Sequence, residues 1–138
     1  WLDDDPYPRA EVLDWDDEPP GADIADRVAE VRTVLRQVLA TASELGLPVA
    51  PATVELAEDA TLASYQASAV APFGPADLHS LLVEPGPDRR LARLEAMLHE
   101  EAGYLAQRLA LASDALETDR PDAPDDDPGD PGGGEDRG

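Results

Sequence analysis

PDRRLARLEAMLHEEAGYLAQRLALA, residues 87–112, is the stretch on which the fold turns. Leu91, Leu94, Leu98, Ala102, Leu105, Leu109 and Ala112 recur every three or four positions along it, while Arg90, Arg93, Glu100, Gln107 and Arg108 fall elsewhere around the axis. That spacing predicts an amphipathic helix with one apolar face. Gly86 serves as N-cap, Pro87 fits the first helical position where its missing N–H costs nothing, and Asp88 sits in the electropositive first turn. At 1.5 Å per residue the stretch is a rod of roughly 39 Å, which needs apolar partners along its length.

Its chief partner lies upstream. Ile24, Val28, Val31, Leu35, Val38, Ala42 and Leu45 alternate gaps of four and three, behind Asp23 as N-cap and ahead of Gly46 and Pro48 as stop signals. Three heptads permit a self-associating coiled coil, and an intramolecular seam explains them equally well and is preferred. Residues 47–58 form a loop. Asp59 caps a short helix to about Ala71, with Leu62, Tyr65, Ala69 and Val70 as its apolar side; Gly74-Pro75 starts another to about Val83, with Leu78, Leu81 and Leu82 apolar. Short connections make neighbours of successive helices, so the expected fold is mainly α, a compact bundle of four helices over 24–112.

The flanks differ. Tyr7–Trp15, YPRAEVLDW, alternates like a strand but has no mate in the chain, and DDEPPGAD, residues 16–23, reads as a linker, so 1–23 is expected to be the last strand of a missing β subdomain plus that linker. Residues 113–138 end in a Pro/Gly/Asp-rich run with no large apolar residue, expected to be a disordered acidic tail. The net charge of −21 is concentrated there: −8 in residues 1–23, −8 in 113–138 and only −5 between them. Such ends read first as solvated, self-repelling termini. The first residue is Trp1, not methionine, and the chain is expected to be part of a longer one. No cysteine occurs, which fits a reducing compartment such as the cytoplasm, and no apolar run is long enough to span a membrane.

Motifs that carry chemistry fail one by one. His99-Glu100-Glu101-Ala102-Gly103 begins like a zinc motif but has Gly103 where the second histidine must be. Asp14–Glu18 begins like a calcium loop but has Pro19 and Ala25 where glycine and glutamate are required. The glycine run 132–134 has no following helix or lysine to cradle phosphate, and Ser64, Ser68 and Ser80 have no base within the pattern. Neither an enzyme, a metal site nor a cofactor is indicated. Arg89, Arg90 and Arg93 are read as a solvated face amid acids, with Arg93 paired to a nearby glutamate, and nucleic acid is disfavoured.

The order of these features resembles one family, the N-terminal substrate-binding domain of Lon proteases and the stand-alone proteins built from it. The resemblance rests on DPYPRAEVLDW from Asp5 to Trp15, on Leu62-Ala63-Ser64-Tyr65, on ADLHSLL from Ala76 to Leu82, where His79 stands in place of the family's usual glutamine, and on Arg90-Leu91 followed by Leu94 and Leu98. It covers about Asp5 to Ala112. It implies an α+β whole, a PUA-like β half followed by a helical bundle, of which this chain holds the last strand and the bundle. The family's domain recognises unfolded or damaged polypeptides and has no peptidase or ATPase chemistry of its own, a role in protein quality control. A terminal tail in place of an ATPase module implies the stand-alone version. Val34, Met97 and Tyr104, which lie beside the core stripes, are then the candidates to line a polypeptide-binding groove. The competing expectation is a structural module that self-associates through the 24–45 heptads or docks on a fixed protein partner.

Overall fold

The two apolar stripes find each other. The computed structural model describes residues 11–14 and 16–118, so most of the expected strand Tyr7–Trp15 and the tail from Asp119 lie outside the described residues. Within them are four helices, α1 (Ile24–Glu44), α2 (Ala60–Val70), α3 (Pro75–Leu82) and α4 (Pro87–Thr118), and no strand; Glu11–Asp14 have no regular secondary structure. The bundle is mainly helical, as the periodicity predicts.

Val28, Val31, Leu35, Val38, Leu39 and Ala42 of α1 are buried together with Leu91, Leu94, Leu98 and Leu105 of α4. Each such leucine contributes about 1.5–3 kcal/mol on leaving water. The central residues of the α1 heptad seam are thus buried inside the chain, while Ile24 and Leu45 at its ends are half-buried. Helix α1 ends on Gly46, whose φ of 73° is left-handed. The Gly46 N–H bonds the Ser43 carbonyl and the Leu47 N–H bonds that of Ala42, satisfying carbonyls the helix leaves open. At the other end, Asp23 makes no capping bond with its side chain. Its φ and ψ of −95° and 13° lie outside the extended geometry that aims a capping oxygen at the next turn, so the aspartate fails there as a cap. Asp59 does cap α2, accepting from Leu62 N at 2.8 Å.

Helix α2 packs with a face rotated from expectation, with Tyr65 and Val70 of the expected side only half-buried. Ala63, Ser64, Ala67 and Ser68 are buried, whereas Leu62 is 49% exposed and Ala69 is also outside. Small residues permit the backbone of α2 to approach α1 and α4 closely, and the larger ones are left on the rim. In α3, Leu81 is buried but Leu82 is 52% exposed. The loop over 47–58 contributes more than a connection, since Leu47, Val49, Ala52, Val54 and Leu56 pack on the core at its edge. Helix α4 continues past the expected end at Ala112 to Thr118. Its 32 residues span roughly 48 Å against roughly 31 Å for the 21 of α1, so its last turns extend beyond the core, with Leu111 exposed.

Val38→Lys therefore abolishes cooperative unfolding instead of converting an oligomer to a monomer, because an ammonium at that depth has no partner. Gly46→Ala lowers stability by about 1–2 kcal/mol in urea titration, the cost of a Cβ in the left-handed region.

Candidate functional site

The described chain holds one buried charge centre, and it is at the start of the decisive helix. Arg90 is fully buried. The expectation of a solvated arginine face is wrong for this residue. Its position announces the error, because Arg90 is four residues before Leu94 and eight before Leu98 and so shares their face of α4. Arg89 and Arg93 are exposed as expected, and Arg93 pairs with Glu84 at 3.0 Å.

A guanidinium withdrawn from water needs every N–H bonded and its charge answered. Nε of Arg90 donates to the Leu81 carbonyl at 3.2 Å, the last turn of α3. Nη1 donates to Asp17 Oδ2 at 3.1 Å and to Ser64 Oγ at 2.9 Å. Nη2 donates to Asp17 Oδ1 at 2.8 Å and meets Tyr65 Oη and the Glu84 carbonyl, each at 3.0 Å. Asp17 thus receives a two-pronged pair, and the guanidinium carbon stands 3.8 Å from the centre of the Tyr65 ring. The hydroxyls close the network. The Tyr65 hydroxyl donates to Asp17 Oδ1 at 3.1 Å and the Ser64 hydroxyl to the Thr61 carbonyl at 2.7 Å, which leaves the lone pairs of both oxygens to accept from Arg90.

Asp17 belongs to the segment expected to be a linker. Residues 16–22 instead form a strap across the α3–α4 turn. Glu18 N–H bonds the Pro85 carbonyl at 2.6 Å and Gly21 N–H bonds Asp88 Oδ2 at 2.9 Å. Asp88 thereby holds the strap as well as the helix dipole. Gly86 is the point of closest approach, where an added Cβ would come within 2.9 Å of Glu18 Cβ and 3.1 Å of its carbonyl oxygen. The hydrogen bond from Arg90 holds the Asp17 carboxyl below the ordinary aspartate value against the opposing effect of burial. Burial first, and then the bond to Asp17, push the Tyr65 phenol up.

All this polar chemistry is spent internally. Among the described residues there is no group of three or more side chains able to hold a metal. His99 is exposed beside Glu95, and His79 is exposed in the last turn of α3. No helix is long and apolar enough to cross a membrane within the described residues.

The three candidate polypeptide-binding residues do not share one groove. Val34 is half-buried in a hollow between α1 and α4 with Glu95 and His99. Met97 and Tyr104 line a different hollow, with Phe73 and Asp77. Val34 and Met97 both rest on the core, while Tyr104 is 55% exposed. Sequence reasoning missed Asp17 and Phe73, which carry no pattern of their own, and the role of Ser64 as a partner of Arg90. No family model, curated protein or solved structure matches the chain.

Asp17→Asn leaves Arg90 buried without a counter-charge and lowers stability by about 3–5 kcal/mol, toward the lower end since Asp17 keeps 12% of its side chain in water. Arg90→Lys does not rescue the fold, because one ammonium cannot replace the fork, whereas Arg89→Ala stays within about 0.5 kcal/mol. Because the folded Asp17 carboxyl is depressed, its contribution is fully present above the ordinary aspartate value, about 3.9, and is lost as pH falls through the lower folded value. Urea midpoints measured from pH 6 downward accordingly fall more steeply in the unaltered protein than in Asp17→Asn.

Proposed function

We propose that the chain is a non-enzymatic polypeptide-binding module, similar to the substrate-binding domain of Lon proteases in its stand-alone form and acting on unfolded or damaged proteins. The observation that carries this reading is spatial. The four phrases on which the resemblance rests are far apart in sequence, and three of them supply atoms to a single knot: Ser64 and Tyr65, the Leu81 carbonyl, and Arg90. The fourth phrase, ending at Trp15, runs two residues later into Asp17, the counter-ion of that knot. Their convergence on one buried charge supports the reading.

The strap gives the knot a purpose within this reading. It fixes the N-terminal segment against the bundle, so a β half carried on that segment would be held in a set position and not on a free linker. Val12 and Leu13 stand 80% and 92% exposed just upstream, apolar surface suited to cover by such a half. Polypeptide capture then uses open apolar hollows on the helices, where chemistry is neither present nor needed.

The competing role, docking on a fixed protein partner, draws on the extension of α4, where Leu111 is 65% exposed past the end of the core. Leu111→Lys separates the two: it leaves client binding intact and abolishes a docking role.

Fluorescence titration with a labelled model protein, once unfolded by reduction and alkylation and once native, tests the reading. Saturable binding of the unfolded form with none of the native form is expected, and failure to bind either overturns it.

A further inference from the structure

Two hollows on the same side of the bundle meet at Phe73. The first, of about 550 Å³, lies between the loop after α1 and the α2–α3 junction, with Val49, Val70 and Leu78 in its wall. The second, of about 340 Å³, continues over the surface of α4, with Met97 and Tyr104 in its wall. Phe73 and Glu101 line both, so the two hollows adjoin and are taken together as one open groove.

Its charge is of one sign. The ionisable side chains among the residues lining the groove, apart from the Tyr104 phenol, are Asp77, Glu100 and Glu101, and no arginine or histidine joins them. Arg27, Arg90 and Arg93 pair with Glu95, Asp17 and Glu84, and none of these pairs engages the three. Nearby, the Arg108 guanidinium stands 5.7 Å from the centre of the Tyr104 ring, a lone cation against three carboxylates. An apolar hollow that leads directly into unpaired carboxylates around an exposed aromatic ring has a definite complement.

We infer that this groove binds an extended polypeptide segment in which a lysine or arginine stands close to one or two large apolar side chains. The inference rests on the polypeptide-binding reading above and names the class of segment. The apolar side chains settle against Val49, Val70, Leu78 and the Phe73 ring, which provides the affinity through area withdrawn from water. The unbranched Met97 adjusts to side chains of differing shape. The cation takes its place among Asp77, Glu100 and Glu101 with the face of Tyr104 within reach, an arrangement that attracts basic segments and repels acidic ones. Of the three residues singled out from sequence, Met97 and Tyr104 are in this groove and Val34 is not.

Fluorescence anisotropy with three labelled peptides of equal length and equal apolar content tests this, one bearing arginines, one with glutamine at those positions and one with glutamate. The arginine peptide is expected to bind about tenfold more tightly than the glutamine peptide at low salt, to lose most of that margin at high salt, and the glutamate peptide to bind least. The triple variant Asp77→Asn, Glu100→Gln, Glu101→Gln removes the margin between the arginine and glutamine peptides. A charge-matched control, Glu30→Gln, Glu44→Gln, Glu55→Gln, retains it, which separates the groove from the general acidity of the chain. Tyr104→Ala, at an exposed position where folding is not at issue, weakens the arginine peptide selectively. Equal binding of all three peptides, or an equal loss in the control variant, overturns the inference while the broader reading stands. Failure of every peptide and of unfolded protein alike overturns both.

Discussion

The structure depends on keeping one positive charge out of water. Arg90 lies under α2, the α3–α4 turn and the strap, with no exposed surface, and an isolated guanidinium there would be prohibitively costly. Asp17 answers the charge, the carbonyls of Leu81 and Glu84 absorb N–H groups that a carboxylate alone cannot reach, and Ser64 and Tyr65 complete the set. Apolar burial along the α1–α4 seam makes the bundle stable. The arginine network makes it specific, because only one arrangement of α2, α3, α4 and the strap satisfies every partner at once. A leucine at position 90 would fill the space and hold no strap.

This division of labour explains what the amino-acid sequence discloses and what it conceals. Helix α1, the stop at Gly46 and the core face of α4 are written in periodicity, since a stripe repeated over several turns can be buried in only one way. Helix α2 is concealed because its packing is governed by close approach and not by hydrophobicity. Ala63, Ser64, Ala67 and Ser68 score as indifferent residues, and the larger Leu62 draws attention to the wrong face. The strap is concealed for a related reason. DDEPPGAD has the composition of a solvated linker, and nothing local distinguishes Asp17 from Asp14 or Asp16. What selects Asp17 is a residue 73 positions away, and that separation in sequence leaves no periodic trace.

The candidate surface was legible in part. Met97 and Tyr104 could be singled out because they sit beside a strong core stripe on a helix whose register was known. Phe73, in the four-residue break between α2 and α3, belongs to no register, yet it lines both hollows. Val34 was assigned by the same reasoning as Met97, and its separation from the groove reflects the rotation of α1 about the seam, which periodicity fixes only to within a residue or so. The bundle offers apolar hollows edged with carboxylates, while its one intricately bonded polar centre is closed to ligands.

The buried arginine is the claim from which the rest follows, and the side-chain amide region of a nitrogen-15 spectrum reads it directly. Of the seven arginines among the described residues, Arg90 has its whole side chain buried and its Nε–H bonded to a buried carbonyl, and a strongly protected arginine Nε–H is predicted that loses its protection in Gly86→Ala, where the strap is pushed off. A spectrum in which no arginine Nε–H exchanges more slowly than an exposed side chain would contradict the account.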